Sequence, residues 1–298
     1  MDNLKEGLMT KISMMILALV MSLNVFACLE DGTEGFLPEN DMYISVDDKN
    51  AGGLTEEQFN AEIDKYEAIY APVIANLGGK LSIARKWTDG TVNASAQRMG
   101  STYQVNMFGG LARHPSITAD GFALVVCHEI GHHIGGAPKY GGFLSPNKWA
   151  SNEGQSDYWA TLKCLRQAFL NEDNAAVIGR MTIPAPLSQK CSEIYSDETE
   201  KNICIRSGMA GASVSNLFAA MRNQPEAKFD TPDRSAVSRT NHAHPAFQCR
   251  LDTYFQGALC DMPMNQDVSQ SDEVTGTCHG ATGQTIGLRP TCWFKASK

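Results

Sequence analysis

The sequence predicts an α+β chain, in which a helix is followed by a short run of strands and then by helices, without an alternating βαβ order. Three observations carry that reading. Apolar residues recur three or four apart behind a capping box at Thr55-Glu56-Glu57-Gln58. Alternating residues bounded by Gly78-Gly79, Asp89-Gly90 and Gly100 fill the stretch from Leu81 to Phe108. From Thr118 onward the pattern returns to helical spacing. The expected sheet is small, mixed or antiparallel, and packed on the helices.

The first helix runs from Thr55 to about Leu77 on Phe59, Ile63, Tyr66, Tyr70 and Val73, with a kink or stop expected near Ala71 because Pro72 lacks an N–H. Strands are expected over Leu81–Ala84, Thr91–Gln97 and Thr102–Phe108. Thr118 opens a helix through Phe122, Leu124, Val125, Val126 and Ile130 to Gly135-Gly136, and a Gly/Pro-rich loop over 135–148 follows. Further helices are expected from Asn152 to Leu170 and near 196–205, 208–223 and 245–259. Residues 28–54 are polar with little periodicity and read as a leader. Residues 55–260 form the main domain, and residues 261–298 a disulfide-closed hairpin or arm.

Residues 1–27 read as a signal peptide. Lys11 precedes an apolar stretch from Ile12 to Val20, and Val25 and Ala27 are the small residues of a cleavage site before Cys28. The segment before Lys11 is acidic for such a leader, and Met9 is a second candidate start. Cys28 leaves acylation open, although Phe26 fits a lipoprotein cleavage box poorly. Both readings place the protein outside the cytoplasm, periplasmic or secreted, free or lipid-anchored.

The chain has 298 residues, 43% of them hydrophobic and 19% charged, with a net charge of −8. That balance excludes a disordered chain and argues against a nucleic-acid partner, which needs a positive field. There are nine cysteines and no C-x-x-C. With Cys28 set aside, eight can pair in an oxidising compartment. Closure of short loops suggests Cys191–Cys204, Cys249–Cys260 and Cys278–Cys292. A Cys127–Cys164 bridge would tie together the two helices that carry the chemistry.

Those helices hold two motifs. His128-Glu129-Ile130-Gly131-His132 is H-E-x-x-H, which on a helix puts both imidazoles on one face with the Glu able to take a proton from a metal-bound water. The plainer reading of the pair is two solvated histidines beside a salt-bridging Glu. Glu153 follows His132 by twenty-one residues and can complete a His₂Glu zinc set with an open position. Asp157 shares its helical face and can accept the outer N–H of a ligand histidine, His128 by preference. The plainer reading makes both residues acids favoured by a helix N-terminus.

H-E-x-x-H followed by N-E-x-x-S-D resembles the gluzincin metallopeptidases, with thermolysin-like spacing. The Val92–Ala96 segment, Tyr103–Val105 with Gly109-Gly110-Leu111, and His244-Pro245 with Arg250 resemble the HtpX/BepA-like branch. The resemblance covers about residues 55–260; the membrane helices and longer spacing to the Glu common in that branch are missing. It implies a zincin-like fold and a zinc endopeptidase acting on peptides or unfolded proteins. His128, His132 and Glu153 would hold Zn²⁺ and Glu129 would act as base. His244 would donate to the oxyanion, with Arg250 orienting His244 or sharing its task. Asn93 and Ala94 would pair an extended peptide to an edge strand. Plainer readings make the Asn-Ala segment an ordinary hairpin and His244-Pro245 a helix start whose Arg is structural. His133 and His242 are read as bystanders. Two rivals stay open: a zinc-bound chaperone or binding protein whose cleft is gated by the loop 135–150, and a structural lipoprotein whose histidines satisfy each other.

Overall fold

The computed structural model describes residues 35–49, 51–140 and 149–296. The expected signal peptide, Cys28 and residues 141–148 of the loop expected to gate the cleft lie outside them. Helix α1 (Glu56–Asn76) begins where the capping box requires: the Thr55 hydroxyl accepts from Gln58 N–H at 3.2 Å, and the Gln58 side chain accepts from Thr55 N–H at 2.9 Å. It runs through Pro72 without stopping, because Pro72 and Ala68, whose carbonyl loses its partner, both face solvent. Ile74 is buried there in place of Val73, which is 41% exposed.

Strands β1 (Lys80–Lys86), β2 (Ala94–Met99) and β3 (Thr102–Phe108) form a mixed sheet in the order β1-β3-β2, with β1 parallel and β2 antiparallel to β3. Gly100 makes the β2–β3 turn at φ 58°. Thr91 lies outside β2 because it bridges Tyr43 instead; Val92 N–H donates to Met42 O and Ile44 N–H to Gly90 O. The described part of the presumed polar leader is thus packed along residues 90–94, and its Phe36 and Leu37 are fully buried.

A short helix α2 (Gly109–Arg113) leads to α3 (Ala119–Ile134), capped by the Thr118 hydroxyl on Gly121 N–H and buried from Asp120 to Ile134. The expected Asn152–Leu170 helix is a rod of α4 (Glu153–Trp159), a π-helical turn (Ala160–Cys164) and α5 (Leu165–Phe169). Helices α6 (Asn174–Ile178) and α7 (Ala185–Ile194) occupy a stretch the periodicity left unassigned. The two helices expected around 196–223 are one, α8 (Glu198–Met221). Its glycines are contact points: a Cβ on Gly208 would meet Leu187 Cδ1 at 2.5 Å, and one on Gly211 would meet Tyr254 Cβ at 2.8 Å. Helix α9 (Phe247–Leu259) packs on α8 and α4.

Cys127–Cys164 and Cys191–Cys204 pair as expected. The other two expected bridges are wrong: the pairs are Cys249–Cys292 and Cys260–Cys278. Cys249 and Cys260 sit at opposite ends of α9, about 16 Å apart along its axis, beyond the reach of a disulfide. The two observed bonds fold the C-terminal segment back over α9 and α4, and it contains no strand among its described residues. Trp293 is fully buried against Gly154, and the Tyr158 hydroxyl donates to Gly287 O at 2.5 Å. Four disulfides fit an oxidising, exported environment. Among the described residues no helix is long and apolar enough to cross a membrane.

Candidate metal centre

Helices α3 and α4 approach closely because Gly131 has no side chain; a Cβ there would lie 3.1 Å from the Trp159 ring and 3.3 Å from Ser156 Cα. The Cys127–Cys164 bond, with a Cα separation of 5.6 Å, joins α3 to the π-helical turn behind α4. This crossing brings His128, His132 and Glu153 together, with donor atoms all within 4.8 Å of one another. His128 Nε2 lies 3.3 Å from Glu153 Oε2, and His132 Nε2 lies 3.7 Å from Glu153 Oε1. Ligands at zinc–nitrogen distances in a tetrahedral shell are separated by about 3.3–3.4 Å, so the spacing suits such an ion.

The outer nitrogens fix the orientation of the rings. His132 Nδ1 lies 2.8 Å from the Ser151 carbonyl, which can only accept; that nitrogen therefore carries the proton and Nε2 keeps its lone pair. Ser156 Oγ stands 3.1 Å from the same Nδ1. His128 Nδ1 lies 2.7 Å from Asp157 Oδ1, the contact expected from their spacing. Burial raises the Asp157 pKa, but Arg250 and His128 outweigh it and hold the carboxyl below its ordinary value.

Several polar atoms at the centre lack a partner. His128 Nε2, Glu153 Oε2 and both Glu129 carboxylate oxygens are buried without a hydrogen-bond partner. Burial, with Glu153 and Asp157 adding to it, pushes the Glu129 carboxyl up to about 8. Burial works against charge on His128, yet Asp157 and Glu153 overcome it and raise its pKa to about 9. His128, His132 and Glu153 converge as a donor set of two imidazoles and one carboxylate, which fits a divalent ion. The other candidate group, Asp233 with Cys249 and Cys292, has its sulfurs in a disulfide.

His244 Nε2 reaches the centre, 3.3 Å from Glu153 Oε2. Arg250 does not orient it. Its guanidinium is fully buried and forked onto Asp157, with Nε to Oδ2 at 2.8 Å and Nη2 to Oδ1 at 2.7 Å. Arg250 follows α9 into the helix crossing, whereas His244 precedes that helix. Asn93 and Ala94 sit at the start of edge strand β2, as the resemblance implies, and residues 35–37 already lie along them.

His133 points away from the centre and stacks on Trp149 at 4.8 Å. His242 stands at the rim, 3.2 Å from Asn152 Nδ2. Sequence reasoning missed Tyr140, whose hydroxyl donates to Glu153 Oε1 at 3.0 Å, and Tyr254, whose hydroxyl donates to Asp157 Oδ1 at 2.8 Å. Tyr254 carried a signal, four residues beyond Arg250 on one helical face; Tyr140, in a Gly-rich loop, carried none. No protein-family model, no curated protein and no solved structure matches this chain.

Proposed function

We propose that this chain is an exported zinc-dependent endopeptidase of the gluzincin type, with a zincin-like fold, acting on peptides or unfolded protein. One observation carries the reading: the Glu129 carboxylate is buried without a hydrogen-bond partner and interacts electrostatically with His128 and Glu153, two members of the His128, His132 and Glu153 cluster. A zinc ion held by His128, His132 and Glu153 would supply Lewis-acid character, lowering the pKa of a bound water toward about 7 and polarising a carbonyl.

The chain's own groups do the rest. Glu129 takes a proton from the attacking water and delivers it to the leaving amine. His244 Nε2 donates to the carbonyl oxygen as negative charge develops there. Asn93 and Ala94 hold the peptide backbone against the edge strand. Arg250 positions Asp157, which in turn fixes His128. The experiment is a digest of a peptide library by purified metal-loaded protein beside its Glu129→Gln variant, with turnover expected only in the former.

A second reading, a zinc-bound chaperone or peptide-binding protein with little turnover, is favoured by residues 35–37, which already lie along Asn93 and Ala94 with Phe36 and Leu37 fully buried. Equal binding of unfolded protein by both forms, with hydrolysis by neither, would select it.

A further inference from the structure

Three residues of the chain lie across the centre in the posture of a bound peptide. Phe36 N–H donates to Ala94 O at 2.8 Å. Leu37 N–H donates to Asn93 Oδ1 at 2.9 Å, and Asn93 Nδ2 donates back to Leu37 O at 3.2 Å. Arg250 Nη1 donates to Phe36 O at 3.0 Å. The Phe36 ring is fully buried, edge-on to His128 at 4.9 Å and with the Arg250 guanidinium 4.4 Å from its centroid. His244 Nε2 lies 3.0 Å from Gly35 O; a carbonyl can only accept, so this nitrogen is the donor.

Both ends of one amide are therefore engaged. Its oxygen, on Gly35, faces the nitrogen assigned to the developing oxyanion, and its N–H, on Phe36, faces an acceptor for the leaving amine. Gly35 suits this seat for a steric reason: a Cβ would come within 2.7 Å of Ala94 O and 2.8 Å of the Asn93 side chain. A strand serving only to cover the sheet edge has no need of a carbonyl on His244.

We propose that the Gly35–Phe36 peptide bond is an intramolecular substrate of this centre, so that the chain cuts itself there. The inference rests on the peptidase reading. The step consumes one water: a C–O bond forms at the Gly35 carbonyl carbon as its C–N bond to Phe36 breaks, leaving a Gly35 carboxylate and a Phe36 α-amine. Glu129 carries the proton from water to nitrogen, and nothing is oxidised or reduced. Phe36 becomes the first residue of the remaining chain.

The test is intact-mass and N-terminal analysis of full-length protein expressed with zinc, as wild type and as Glu129→Gln, with a peptide-library digest run on each. A wild-type chain beginning at Phe36 beside an uncut Glu129→Gln chain is expected. Glu129→Gln mixed with wild type should stay uncut, because the bond is buried in its own molecule. Gly35→Val should retain the bond by displacing the segment from its seat. An intact Gly35–Phe36 bond in a wild type that digests added peptides overturns the inference and leaves the peptidase reading standing. An intact bond in a zinc-loaded wild type that digests nothing overturns both. A chain beginning at Phe36 in both forms assigns the cut to another protease and also overturns the inference.

Discussion

Arg250 and Asp157 form a bidentate ion pair with both side chains fully buried, and the same Asp157 oxygen that receives Arg250 Nη2 lies 2.7 Å from His128 Nδ1. The His128 imidazole of the candidate metal centre is thus the last member of a chain that begins on α9, and the Tyr254 hydroxyl closes it at 2.8 Å.

Removing the arginine should therefore cost more than removing a surface charge. Arg250→Met strands a buried carboxylate and should destabilise the fold by about 3–5 kcal/mol; Arg250→Lys, lacking the planar fork, should restore only part of this. Denaturant unfolding of the two variants checks it. Asp157 is held below its ordinary pKa of 3.8, with Arg250 as the leading stabiliser against burial. The stability it contributes is then present above about pH 4 and lost as pH falls through the lower folded value. Asp157→Asn should show a flatter acid limb in the same measurement.

The second prediction concerns the ion. Purified protein should carry about one zinc per chain, and His128→Ala, His132→Ala or Glu153→Ala should each strip it. Asp157→Asn should weaken zinc affinity by roughly 10–100-fold through the misoriented His128. Metal analysis with a competing chelator reads both effects. Full zinc occupancy in Glu153→Ala would move the third ligand elsewhere.

On the proposed mechanism, in which its Nε2 meets charge that develops only during reaction, His244→Phe should retain zinc and fold while lowering kcat roughly 10²-fold or more, with KM little changed. A change confined to KM would make His244 a residue that binds substrate. Steady-state kinetics on a fluorogenic peptide separates the two.

The fourth prediction joins fold to site. The Cys127–Cys164 bond closes a sequence separation of 37 residues beside His128. Replacing both cysteines by Ser should cost roughly 2–4 kcal/mol. Because α3 then loses its covalent tie to the turn behind α4, zinc affinity should fall in the variant even where it remains folded. Unchanged zinc affinity in the double variant would make the bond purely structural.

Residue spacing exposed the candidate metal cluster more readily than the topology. His128, His132, Glu153 and Asp157 were legible because helical geometry alone puts i and i+4 on one face. The starts of α1 and α3 followed from the capping residues Thr55 and Thr118. Three things were hidden. The merging of two expected helices into α8 depended on Leu187 and Tyr254 packing against Gly208 and Gly211, partners that no local pattern names. The Cys249 and Cys260 pairing weighed loop length when the helix between them already ruled it out. Phe36 and Leu37 sat in a polar segment with no periodicity, and only the tertiary fold carries them to Ala94 and Arg250.

The central claim is that Glu129 is the base of a zinc-dependent peptide hydrolysis. It is tested most directly by turnover of a peptide substrate in the zinc-loaded wild type and in Glu129→Gln, with zinc content measured on the same samples. The account predicts about one zinc per chain in both proteins, and a rate in the variant lower by roughly 10²–10⁴-fold, the usual contribution of a positioned acid–base group. A variant holding zinc and hydrolysing within about threefold of wild type, a change of about 0.7 kcal/mol in barrier, would contradict it.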